Sequence, residues 1–202
     1  MKKFALVLAV MFVSCVSLRA QNVDDEGFIR DWLLLAPVPL EDGTTGADGI
    51  DKDLVKDEAK LAPKEGDKLK VGAKEETWKK VNLKDYFFDV NEIYGKADEK
   101  IENSAAYAVA YIVADDDIKD VVVQMGSNDQ GKVYLNGKEV VKFAETRTLE
   151  KDQDKSNPLT LSKGTNTIVF KVINEMNNFQ GCLRFTDKNG KGVKNIKVKL
   201  AP

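Results

Sequence analysis

Lys132-Val133-Tyr134-Leu135-Asn136-Gly137-Lys138-Glu139-Val140 is the stretch whose reading decides the fold. Strand-like runs lie on either side, Gly131 to Leu135 and Glu139 to Phe143, and Asn136-Gly137 stands between them. Both turn residues tolerate the positive φ angles that a type I′ hairpin demands. Working outward, Ala105 to Ala114, Ile118 to Met125, Thr165 to Ile173, Cys182 to Thr186 and Val193 to Leu200 are also strand-like and separated by turn signals. Several short runs of this kind predict an all-β protein, an antiparallel β-sandwich.

The first half of the chain is less regular. Phe28 to Leu35 reads as a strand that ends at Pro37 and Pro39. Glu41 to Gly49 reads as a loop, and Ile50, Leu54 and Leu61 share a helical face, which predicts one short peripheral helix near residues 50 to 61. Lys68 to Val71 and Thr77 to Val81 read as two short strands about a turn.

Lys2 and Lys3 precede an apolar run from Phe4 to Val13 that is too short to span a bilayer, which is the pattern of a signal peptide with Ala20 before the cut. The expected organisation is therefore a leader over residues 1–20 and a single β-sandwich domain over 21–202, secreted or periplasmic. The alternative start is a lipid-anchored Cys15, preceded by Val13 and Ser14. No later segment has the length of a transmembrane helix. Removing Lys2, Lys3 and Arg19 leaves 28 of the 31 basic residues against 33 acidic ones, so the formal charge moves from −2 to −5. The remaining lysines are interleaved with acids, which argues against nucleic acid as a partner. Cleavage also leaves Cys182 alone, without an intramolecular disulfide.

Histidine is absent from the whole chain. That removes Ser-His-Asp and Cys-His nucleophilic sites and the imidazole ligands usual for catalytic zinc. No Ser-x-x-Lys or Gly-x-Ser-x-Gly motif takes their place. Nothing selects a pair of carboxylates for glycoside hydrolysis, so the expectation is a protein that is not an enzyme. Asp152, Asp154 and Asn157 offer oxygen ligands on one loop, but Asn157 and Lys163 depart from the EF-hand pattern where it needs Gly and Glu. Asp115 to Asp117 reads as a solvated turn. No metal or other cofactor is expected.

Two elements carry a resemblance. Lys132 to Val140, with its valine, aromatic, apolar residue and Asn-Gly-Lys, resembles a hairpin of the sugar-binding jelly-roll domains of family 2 glycoside hydrolases, and Leu159 to Val172 is similar to a Leu, Lys-Gly, x-Asn, strand element of the same galactose-binding-like domains. Gly126-Ser127-Asn128-Asp129 resembles their Gly-Ser-Asp-Asp turn, with Asn128 in place of the first acid and Gln130 added before Gly131. The residues 63–67 followed by Trp78 are similar to secreted bacterial proteins that carry this jelly roll as an accessory module. The resemblance implies a jelly roll and a polysaccharide or glycan partner. The other reading is a structural domain that docks to another secreted protein.

For a glycan, an exposed aromatic should stack on the sugar ring beside polar groups. Trp32, Phe143, Phe170 and Phe185 lie in strand-like runs and are expected in the core, whereas Trp78, Tyr86, Tyr94 and Phe179 stand in more polar contexts. Trp78 is the first candidate platform, with Asn128 and Asp129 as polar contacts. Far-ultraviolet circular dichroism of the protein is expected to be dominated by β-structure. A helix-dominated spectrum would overturn the fold reading.

Overall fold

The computed structural model describes residues 21–96 and 99–202, so the leader and the Cys15 alternative lie outside the described residues. In chain order the strands are β1 (Gln21–Asn22), β2 (Asp31–Pro39), β3 (Lys68–Val71), β4 (Lys74–Thr77), β5 (Lys79–Asn82), β6 (Phe88–Asp89), β7 (Ser104–Ala114), β8 (Ile118–Asn128), β9 (Gln130–Leu135), β10 (Lys138–Phe143), β11 (Asp154–Lys155), β12 (Leu159–Leu161), β13 (Gly164–Asn174), β14 (Gln180–Thr186) and β15 (Ile196–Lys199). The helices are α1 (Gly46–Gly49) and α2 (Val90–Tyr94), with a 3-10 turn at Glu58–Lys60.

These strands form the antiparallel sandwich that the sequence predicts. One sheet of eight strands runs β1-β15-β7-β13-β9-β10, with β2 joining β7 and β5 joining β2; the other, of five, runs β11-β8-β14-β6 with β12 on β8. The type I′ reading holds at the hairpin, where Asn136 and Gly137 have φ of 51° and 81°. Asn136 also accepts from Thr167 N (2.8 Å) and donates to Asn166 (2.9 Å), which ties the hairpin to β13. Asn166 in turn donates to Ser162 O (2.7 Å), closing the turn before its own strand.

Side-chain alternation on the large sheet explains why its central strands are apolar throughout. On β7, Ala106, Ala108, Ala110, Ile112 and Ala114 face the core between the sheets, while Ala105, Tyr107, Val109 and Tyr111 face a second core on the opposite side. A strand buried on both faces needs no polar alternation. The small alanines leave room for Trp32, Phe88 and Phe170 in the first core, with Phe88 and Phe170 packed at 5.8 Å. Three of the four predicted core aromatics are buried; Phe143 is half-buried, with the Arg147 guanidinium over its ring at 3.8 Å.

The second core is closed by the chain from Leu40 to Val71, and here the sequence reading needs correction. Residues 50–61 do not form the expected helix. Ile50 and Val55 are buried by an irregular path, and only the short α1 and the 3-10 turn are helical. Polar contacts fix that path. Lys171, which β13 points to this side, is fully buried and donates to Glu58 (3.0 Å), Lys52 O (2.6 Å) and Gly49 O (3.0 Å). Glu58 also accepts from Tyr107 (2.5 Å) and Tyr134 (2.8 Å). Burial pulls the Lys171 ammonium below its ordinary range while the Glu58 carboxylate pulls the other way. Three strands also differ from expectation. β2 continues through Pro37 and Pro39 with a register shift between Leu35 and Val38. β3 pairs with β4, while β5 pairs with β2, so Trp78 sits between β4 and β5.

Removing one partner of a buried pair strands the other charge in a dry site. Lys171→Met is therefore expected to cost ~3–5 kcal/mol in urea unfolding, with much of the loss recovered when Glu58→Leu is added. Equal stability of the single variant and the parent would refute this account.

Candidate functional site

Asn128 ends β8, Gln130 begins β9, and Asp129 alone lies between, joined to Asn128 by a cis peptide. Gly126-Ser127-Asn128-Asp129 is thus mostly strand and not a turn. The junction lies at one end of the sandwich because β13 pairs with β9 from Ile173 and Gln130 onward, which brings the β13–β14 loop beside it. A cleft of 620 Å³ opens there between Asn128-Asp129, Thr146-Arg147-Thr148 and Glu175-Met176-Asn177-Asn178.

Asp129 is the staple of this cleft. Its carboxylate accepts from Arg147 N (3.2 Å) and Glu175 N (3.0 Å), so one side chain holds both walls. Burial pushes its pKa up, and the backbone bonds from Glu175 and Arg147 oppose that shift. The Arg147 guanidinium is fixed by Ser127 O (3.2 Å), Ser127 Oγ (2.8 Å) and Asp154 (2.5 Å). Glu175 accepts from Gly46 N (2.6 Å), which ties this cleft to the segment that closes the second core. Glu175 also lines a neighbouring cleft of 400 Å³ bounded by residues 40–45 and Asn103.

Of the three predicted contact residues, Asn128 and Asp129 meet at the cleft and Trp78 does not. Trp78 is 2% exposed within the second core, so it presents no face to a sugar ring. Phe179 is fully buried. Tyr86 and Tyr94 are half-buried, and each has a lysine over its ring, Lys151 at 4.5 Å and Lys79 at 4.0 Å. The apolar surface in the cleft is instead Met176, the large hydrophobic side chain left 60% exposed. Arg147, Glu175, Met176 and the two asparagines were missed because they come from loops distant in sequence. The polar run Glu175 to Asn178 between two strand-like runs was the available signal.

The oxygen ligands weighed for calcium are committed elsewhere: Asp152 forks onto Arg184, and Asp154 pairs with Arg147. Among the described residues no group of three or more His, Cys, Asp or Glu side chains is placed to hold a metal ion. No described helix is long and apolar enough to cross a membrane.

The connection 144–153 crosses the outer face of the smaller sheet like a strap. Gly126 makes this approach possible, since a Cβ there would stand 2.0 Å from Glu150 O. Cys182 lies beneath the same strap, 2% exposed, with its thiol pushed up to about 12 by burial.

No family model and no curated protein matches the chain. Among solved structures it is similar to the PA14 sugar-binding domain of an RTX adhesin, with 12% identity and a TM-score of 0.38 over 52% of this chain and 60% of that one. It is also similar to the PA14 domain of the antifreeze protein MpAFP (8%, 0.43, over 86% and 90%) and to a β-glucosidase from Kluyveromyces marxianus in complex with glucose (14%, 0.37, over 61% and 14%). The chain thus spans 60% of the adhesin domain and 14% of the β-glucosidase. These likenesses are to PA14 domains and a glycosidase, not specifically to the galactose-binding jelly roll that the sequence motifs resemble, and they are too distant to bear on the site.

Iodoacetamide at mildly alkaline pH is expected to leave Cys182 unmodified in the folded protein and to label it in urea. Gly126→Ala should unseat the strap and permit labelling without denaturant. Rapid labelling of the parent protein would show that the strap does not cover the thiol.

Proposed function

We propose that this chain is an exported, non-catalytic glycan-binding module, with a leader over residues 1–20 and one sandwich domain over 21–202, and that it holds its ligand in the cleft at Asn128 and Asp129. The observation that carries this reading is the composition of that cleft: amides and hydroxyls from Asn128, Thr146, Thr148, Asn177 and Asn178 surround the exposed Met176. Sugars present hydroxyls on their edges and C–H groups on their faces, and such a mixed lining answers both. Asn128 and Asp129 belong to the segment that resembles a motif of sugar-binding jelly rolls, from which Asn128 and Gln130 depart.

Asp129 positions the cleft, because its carboxylate is occupied by the two walls. Met176 is the exposed contact, and Asn128, 6% exposed, lines the floor of the cleft. The site is open to solvent at one end of the sandwich, so few polar contacts are fully desolvated and binding is weak.

Calorimetry of the protein against plant, algal and host glycans, with and without calcium, tests the reading. Binding is expected, and Asn128→Ala should weaken it by up to about tenfold, as for loss of one hydrogen bond of ~0.5–1.5 kcal/mol. Met176→Ala should weaken it as well. No binding to any glycan would favour protein docking, and binding indifferent to both variants would remove this cleft.

A further inference from the structure

On the other side of the strap the outer face of the smaller sheet is open. Val122 and Gln124 of β8 and Arg184 and Thr186 of β14 floor a groove of 530 Å³ between the loop 152–158 and the turn 187–190. A second cleft of 390 Å³ adjoins it and shares Asp187. Both walls of the groove are fixed. Ser156 donates its N–H to Val123 O (2.9 Å) and accepts from Val123 N through its hydroxyl (3.0 Å), while the Asp187 carboxylate accepts from Asn189 N (2.8 Å) and Lys191 N (3.0 Å). The floor is fixed too: Gln124 donates to Thr186 (2.8 Å), and the Arg184 guanidinium is held by Asp152 and Glu26 O.

Those contacts decide the local charge. Asp152 is spent on Arg184 and Lys194 on Asp25. What remains is Lys119, Lys155, Lys188 and Lys191, none of which makes a salt bridge among the described residues, against Asp120 and Asp187. A basic groove of this kind stands out on a chain whose formal charge is −2. Exposed like charges gathered around a preformed groove favour an anionic ligand and raise its rate of encounter.

We infer that this double groove binds an acidic polysaccharide, one whose sugars carry carboxylate or sulfate groups, at a site separate from the cleft at Asn128. The lysines meet the anionic groups, and the Gln124, Asn157 and Asn189 amides meet the sugar hydroxyls. Nucleic acid is the poorer fit: among the described residues no aromatic side chain lines either cleft, so bases would find nothing to stack on. The inference rests on the glycan reading only for the kind of polymer.

The test titrates the whole protein with polygalacturonate, dextran sulfate, neutral dextran and single-stranded DNA, at low and high salt. Polygalacturonate or dextran sulfate should bind at low salt, and the double variant Lys155→Glu/Lys188→Glu should lose on the order of tenfold in affinity, with a shallower salt dependence. The arm that binds tells carboxylate from sulfate. The double variant Lys70→Glu/Lys80→Glu, on β3 and β5 away from the double groove, changes net charge equally and should leave binding intact. Equal losses in both variants, no binding to either acidic polymer, or tighter binding to DNA would overturn the inference. Neutral glycan binding in the lysine variant reports on the Asn128 cleft alone, so failure of one site is distinguishable from failure of the other.

Discussion

The Lys171–Glu58 pair is the contact on which the rest of the molecule depends. β13 must alternate, so the residue between Phe170 and Val172 points away from the sandwich core, and at that position the chain places a lysine instead of an apolar side chain. A buried ammonium is tolerable only if its hydrogens are met, and all its partners lie in the segment 49–58. That segment has little regular structure of its own. The pair therefore fixes where it lies, and the Tyr107 and Tyr134 hydroxyls extend the same network to β7 and β9. Hydrophobic burial of Ile50 and Val55 supplies attraction without direction; the ionic network supplies the register.

The cleft inherits this arrangement. Gly46, at the start of the pinned segment, donates to Glu175, and Glu175 donates its own N–H to Asp129. Asp129 then holds the Arg147 backbone. A chain of contacts thus runs from the second core to both walls of the cleft, so the loops that form it are not free-standing. Under the proposed function, ordering them on folding leaves less to be ordered on binding.

How far the sequence was legible follows from the range of the signals. The Asn136-Gly137 hairpin and the long strands of the second half depend on local patterns, and their positions are recovered to within a few residues. The helical reading of 50–61 failed because Ile50, Leu54 and Leu61 have helical spacing by coincidence; their burial is set by Lys171, more than a hundred residues away. β11 and β12 were missed because two or three paired residues in a polar loop carry no periodicity. Trp78 misled because polar neighbours describe the chain around it and not the space it enters: Lys79 and Lys80 are exposed while the indole turns into the second core. Asn128 and Asp129 were singled out through a motif, but Arg147 and Glu175 are joined to them only by the pairing of β8, β9 and β13.

β7 has a consequence for the chain before it folds. Its eleven residues, Ser104 to Ala114, include no charge and no proline, and alternate faces are apolar because both are covered in the native state. Uncovered, such a segment is a template for intermolecular strand pairing. Two of its coverings, the segment 40–63 and β13, come from opposite directions in sequence, so neither can protect it alone. The acidic triplet Asp115 to Asp117, exposed and placed just past the end of the strand, then gains a role that no ligand needs to explain. Three like charges at the strand's end repel a second copy laid in register, and act as gatekeepers against aggregation until both sheets have closed.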